Sequence, residues 1–242
     1  MPSSAVQRAP RRAARKPRVG AFFDMDKTLI AENSGAVYMK DRYERGDLST
    51  WELVRGLGDY LRYKLGVLDL RAWVRAAMRE FAGVSEAELE AEAREIFDKR
   101  IVHLIYPEAA RLVREHLDRG HVVAIVSGAT RYVVEPLAEH LGVEHALYTR
   151  CEVRGGRLTG EVIEPICFED GKIYWLQNFI EEHDVDLALS WFYTDSVTDV
   201  PLLDLVGHPV VVNPDPMLYR TAVRRCWPVR FFEEPASAAR QA

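Results

Sequence analysis

The chain has little cysteine, three residues in 242. Cys151, Cys167 and Cys226 are too few and too irregularly placed for a disulfide framework, or for the close pairs of a structural zinc site. A reducing, cytoplasmic setting is expected. No apolar run approaches the roughly 18 residues that a membrane-spanning helix requires, so no transmembrane segment is expected. Acidic residues are missing from the first eighteen positions, which carry Arg8, Arg11, Arg12, Arg15, Lys16 and Arg18. With Pro2, Pro10 and Pro17 among them and no apolar stretch of the secretory kind, residues 1–18 read as a disordered basic arm. Taking those six charges from the net −5 leaves −11 for Val19 onward, and a body that acidic carries no strong nucleic-acid signal. Internal repeats and low-complexity segments are absent beyond the arm.

What the chain does have is enough apolar residue, 48%, to bury a core. Residues 19–23 form a short apolar run that ends abruptly in Asp24-Met-Asp26-Lys-Thr28, the pattern of a buried strand delivering polar groups at its carboxyl end. From about residue 33 to 105 the periodicity is helical. Trp51, Leu53, Val54, Leu57, Tyr60, Leu61 and Leu65 recur at three- and four-residue spacing, as do Leu70, Trp73, Val74, Ala77, Met78 and Phe81. Ser85-Glu-Ala-Glu88 offers a capping-box start for a further helix. In such a bundle Trp51, Tyr60, Tyr63 and Trp73 are expected in the interior. Strand and helix alternate after Pro107. A helix over 108–118 stops at Gly120, and a strand over 122–126 leads to Ser127-Gly128 at a strand-to-helix turn. A helix over 132–140 and a hairpin follow, its strands over 147–153 and 158–163 flanking Arg154-Gly-Gly-Arg157. Next come a helix over 173–183, a strand over 188–193, an apolar helix over 200–206 and a final strand over 210–212, closed by a turn at 213–216. This predicts an α/β fold with a largely parallel, doubly wound sheet covered on both faces. Its core comprises 19–32 and 106–242, interrupted by a helical insertion at 33–105.

Four polar clusters fall at strand ends or helix starts. Asp24 and Asp26 lie two apart in an extended segment, so both carboxyls can face one phosphorus, one attacking while the other handles protons. Two acids so close call for a hard divalent cation or for protonation of one of them. Ser127 and Gly128 offer a hydroxyl and main-chain N–H groups to an anion. Lys172, behind Gly171, can neutralise charge on nucleophile and phosphoryl group. Asp195 and Asp199, one helical turn apart, can supply a metal ligand and its support. His103, His116 and His121 sit at helix ends or loop entries and read as structural.

The ordered set of DxDxT, serine after the second core strand, lysine and late acidic pair closely resembles the haloacid dehalogenase superfamily, in particular its phosphoserine-phosphatase-like branch, subfamily IB. The resemblance implies a Rossmann-like core with an inserted helical-bundle cap of the C1 type, and Mg²⁺-dependent hydrolysis of a small phosphorylated metabolite. It implies that Asp24 forms an aspartyl-phosphate, and that Asp26 protonates the leaving alkoxide and later activates water. It further implies that Asp24, the main-chain carbonyl of Asp26 and Asp195 bind Mg²⁺ with Asp199 in support, that Ser127, Gly128 and Lys172 hold the phosphoryl group, and that Thr28 braces the loop. Asp26-Lys27-Thr28 also resembles the DKTGT motif of ion pumps, but Leu29 and Ile30 break that pattern. The acid at position 26 favours phosphate chemistry over dehalogenation. The chain departs from phosphoserine phosphatases at Lys27, at Asn33, which stands where they carry an acid, and at Gly128-Ala129, where they carry two glycines. Arg42, Arg45, Arg55, Arg62 and Lys64 are candidate partners for a substrate carboxylate or second phosphate. Phosphoryl transfer to an organic acceptor, or a non-catalytic binding role on the same fold, remain as alternatives.

Overall fold

Strand β1, Arg18–Phe23, explains why the rest of the chain gathers around it. The structure is a computed structural model that describes residues 16–49, 58 and 69–235. Successive strand side chains point to opposite faces, and β1 is apolar on both. Ala21 and Phe23 join one buried cluster, whereas Phe22 joins a second. The same parity runs through β2 (Val122–Thr130), with Val123 and Ile125 in the first cluster and Val122, Ala124 and Val126 in the second. A sheet apolar on both sides needs helices on both sides. α4 (Pro107–Asp118) and α5 (Arg131–Leu141) cover the first face. α6 (Asp170–His183), the short α7 (Val200–Leu203) and α8 (Pro216–Arg225) cover the second.

The seven strands run in the order β4-β3-β2-β1-β5-β6-β7, with β3 (His145–Arg154), β4 (Arg157–Ile163), β5 (Val185–Thr194), β6 (His208–Val212) and β7 (Val229–Arg230). Only the β3–β4 hairpin is antiparallel among these pairs. The chain leaves β1 toward β2 on one side and later returns to β5 on the other. The carboxyl end of β1 is therefore the switch point of a doubly wound sheet, where such folds open a crevice. The α/β fold with its largely parallel sheet agrees with the sequence.

Between β1 and α4 lie α1 (Ser34–Arg45), α2 (Leu70–Arg79) and α3 (Glu86–Lys99). α3 begins where the capping box puts it, but Ser85 makes no side-chain cap bond; its backbone bridges to Arg157 instead. Main-chain bonds between Val84 and Leu158 and from Glu86 to Gly156 tie this segment to the hairpin. Trp73 is not interior, being 38% exposed. Apart from residue 58, the helix read around Trp51 to Leu65, with Tyr60, Tyr63, Arg55, Arg62 and Lys64, lies outside the described residues, as does the basic arm up to residue 15; the arm's last residue, Arg18, instead opens β1, its N–H on Asp184 O at 2.8 Å.

Two other expectations change. The strand over 210–212 is not the last. Asp215 accepts from the N–H groups of Met217 and Leu218 and, with Pro216 at the first helical position, starts α8 where a closing turn was expected. The two-residue β7, too short to leave a pattern, then pairs with β6 at the edge. Nor does β2 end at Val126. Its pairing with β3 slips between Val126↔Leu147 and Thr130↔Thr149, so four residues of β2 span two of β3.

Candidate active site

The register of the sheet brings the sequence motifs together. Phe23 pairs with Ile125 on one side and Tyr193 on the other, so Asp24 is level with Val126 and Thr194. One step further, Met25, Ser127 and Asp195 share the same edge. The main chain of Asp24 extends the ladder through its N–H to Tyr193 O at 2.9 Å, after which the chain curls tightly. The N–H groups of Thr28, Leu29 and Ile30 all point to Met25 O, and Lys27 takes the left-handed conformation (φ 59°) that this turn demands.

Lys172 links two of the clusters. Its Nζ donates to Asp24 Oδ1 and Asp199 Oδ2, each at 2.8 Å, and all three side chains are buried. Thr194 donates to the same Asp199 oxygen at 2.7 Å. Burial alone would lower the pKa of Lys172, but Asp199 and Asp24 more than reverse this, so it stays charged. Gly171 makes the placement possible, since a Cβ there would lie 1.7 Å from Ile166 O.

Charge in the cleft is out of balance. Burial pushes Asp24 up to about 7 against the opposing pull of Lys172, with Asp199 and Asp26 adding to the rise. Burial, then Asp24 and Asp199, raise Asp195 well above the carboxylate range although Lys27 and Lys172 draw it down. Asp199 Oδ1 is buried with no hydrogen-bond partner. A surplus of hard oxygen donors held against one another is what a hard divalent cation relieves. No group of three His, Cys, Asp and Glu side chains among the described residues is gathered tightly enough to hold a metal by side chains alone. The reason lies in Asp26, whose carboxyl turns toward α1 and accepts from Ser34 N and Asn33 Nδ2, each at 2.9 Å.

Ser127 and Gly128 lie in the irregular stretch of β2, ahead of the helix that begins at Arg131, and not at the helix start expected from sequence. Ser127 Oγ accepts from Ala129 N at 3.1 Å, folding the loop on itself. Thr28 Oγ1 is buried and has no partner. Thr149, to which nothing in the sequence points, donates to Gly128 O at 2.8 Å and accepts from Cys167 N at 3.3 Å. The contacts of Thr194 to Asp199 and of Asn33 to Asp26 likewise go beyond the sequence motifs. The Asn33-Ser34 cap signal was there to be read; a threonine inside a strand gives none.

Residues 21–204 match the family of haloacid dehalogenase-like hydrolases. The inhibition of morphological differentiation protein of Streptomyces azureus is 36% identical over 90% of this chain and 80% of its own length. The histidinol-phosphatase of Neisseria meningitidis serogroup C (strain 8013) is 31% identical over 88% of this chain and 98% of its own. Among solved structures, a protein with unknown function from Bordetella pertussis Tohama I superposes with a TM-score of 0.80 at 31% identity, over 88% of this chain and 98% of that one.

Proposed function

We propose that this chain, which belongs to the haloacid dehalogenase-like hydrolase family and is one of its phosphatases, hydrolyses a small phosphomonoester through a phosphoryl group held on Asp24. The observation that carries this reading is the buried Asp24 carboxyl at the switch point, bonded at 2.8 Å to a charged lysine, with a second acid two residues on. An oxygen of Asp24 attacks phosphorus, the bond from phosphorus to the alcohol oxygen breaks, and Asp26 gives its proton to the departing alkoxide. Asp26, now ionised, takes a proton from a water that attacks the same phosphorus, releasing phosphate and restoring Asp24. The burial that raises the proton affinity of Asp26 supports its acid role. Ser127, Gly128 and Lys172 clamp the phosphoryl oxygens, and Thr28 holds the loop through its main-chain N–H on Met25 O.

Mg²⁺ fits the donor set: Asp24, Asp195 and the main-chain carbonyl of Asp26 would hold it with Asp199 in support, and when bound it offsets the negative charge of carboxylate and phosphate. The helical insertion over 33–105 serves as a cap on the core formed by 19–32 and 106–242. Three free thiols support a reducing, cytoplasmic setting.

Phosphate release from a panel of phosphorylated metabolites, histidinol phosphate and phosphoserine among them, tests the reading. Release that depends on Mg²⁺ and falls by at least ~10³-fold in Asp24→Asn is expected. Acceptor alcohols added to the assay separate hydrolysis from transfer. Silence of the wild type across the panel, or an Asp24→Asn variant as active as wild type, would overturn it.

A further inference from the structure

Asn33 occupies a position that neither the metal site nor the phosphate loop explains. It is the N-cap of α1, with Oδ1 accepting from Ala36 N at 3.0 Å. That contact fixes which end of the amide is oxygen, so Nδ2 is the end that meets Asp26 Oδ2 at 2.9 Å. Ser34 N holds the other oxygen, Asp26 Oδ1, at the same distance. One donor leaves a carboxyl free to rotate about χ2; two donors from adjacent residues of one helical turn set the plane of the group. Gly35 leaves room for this, because a Cβ there would stand 3.2 Å from Asn33 Oδ1.

We propose that Asn33 is a positioning residue for Asp26: it uses the start of α1 to fix the orientation in which the Asp26 carboxyl meets the leaving oxygen. The inference rests on the reading of Asp26 as proton donor. The two halves of the amide are committed to different tasks, the oxygen to the helix and the nitrogen to Asp26, and this makes them separable by mutation. Asn33→Ser and Asn33→Thr keep a hydroxyl oxygen to cap Ala36 N on a shorter stem. Both remove the N–H aimed at Asp26.

A residue acting through a proton donor matters in proportion to how badly the leaving group needs the proton. kcat/KM, which reads the steps up to formation of the phosphoryl-enzyme, should be measured for an alkyl phosphate and for p-nitrophenyl phosphate, whose phenolate leaves without help. For Asn33→Thr and Asn33→Ser we expect a loss of ~10-fold or more on the alkyl ester and less than ~3-fold on the aryl ester, with thermal midpoints close to wild type. Asp26→Asn is the control and should show the same selectivity more strongly. Equal losses on both esters, or no loss on either, in the Asn33 variants would overturn the proposal. An Asp26→Asn variant that loses both esters equally would instead remove the reading of Asp26 on which it rests.

Discussion

Thr149 is buried in the middle of β3, and its hydroxyl joins the loop of Gly128 to the segment of Cys167 that leads into Lys172. Replacing it by valine keeps the shape and removes both bonds, leaving Gly128 O and Cys167 N without that partner. The expected cost is about 1–3 kcal/mol of stability, with a weaker hold on phosphate because two halves of the clamp lose their tie. Urea unfolding together with inorganic phosphate inhibition checks this, and Thr149→Ser should recover most of both. Thr149→Val with unchanged inhibition would mean that the tie is not needed. At this scale the sequence is readable where polarity is out of place. Asp24, Ser127 and Asp195 end apolar runs, and Lys172 stands behind Gly171 at a helix start. Thr149 and Thr194 sit in strands where threonine is ordinary, and their roles exist only once three strands are placed side by side.

The elements were readable for a similar reason and misread for another. Every strand whose two faces are buried shows up as an apolar run, and the hairpin announces itself through Gly155 and Gly156, both at positive φ. β7 owes its existence to an exposed backbone edge on β6, so nothing in its own two residues encodes it. The slip in β2 is likewise a property of the pair β2–β3. It moves the Ser127 loop out of the helix start and into an interrupted ladder. The start of α6 follows from close packing of backbone on backbone. Gly171 tolerates no side chain beside Ile166 O, so Gly171→Ala must shift the first turn of α6 and carry Lys172 with it. A loss of about 1–3 kcal/mol is expected, together with a fall in activity at saturating substrate, read by urea unfolding and phosphate release. An alanine variant with wild-type stability would show that the turn has more slack than this packing allows.

For the whole molecule, two sets of buried groups pull the pH dependence of stability in opposite directions. Asp24 and Asp195 have raised pKa values, so the folded protein holds their protons more tightly than the unfolded chain and gains stability as pH falls from about 7 toward the ordinary carboxylate range. The other set lies on the opposite side of the same strands. His116 of α4 is 2% exposed, with Nε2 2.8 Å from the Tyr193 hydroxyl and Nδ1 2.8 Å from His121 Nδ1. Burial pushes it down to about 4 from 6.5, with the charges of His121 and Arg119 acting the same way. Burial also lowers His121. A histidine with a depressed pKa binds its proton more readily when unfolded, so its contribution is complete above about 6.5 and is lost as pH falls toward about 4. The sum of the two sets hides both, but a difference between variants isolates one. Urea unfolding of wild type and His116→Gln at pH about 7.5 and about 5 should show the stability gap narrowing by roughly 2 kcal/mol at the lower pH. Because the carboxylates are common to both proteins, their opposite trend cancels in that gap. A gap of the same size at both pH values would mean that His116 takes up its proton in the folded protein as easily as in the unfolded chain.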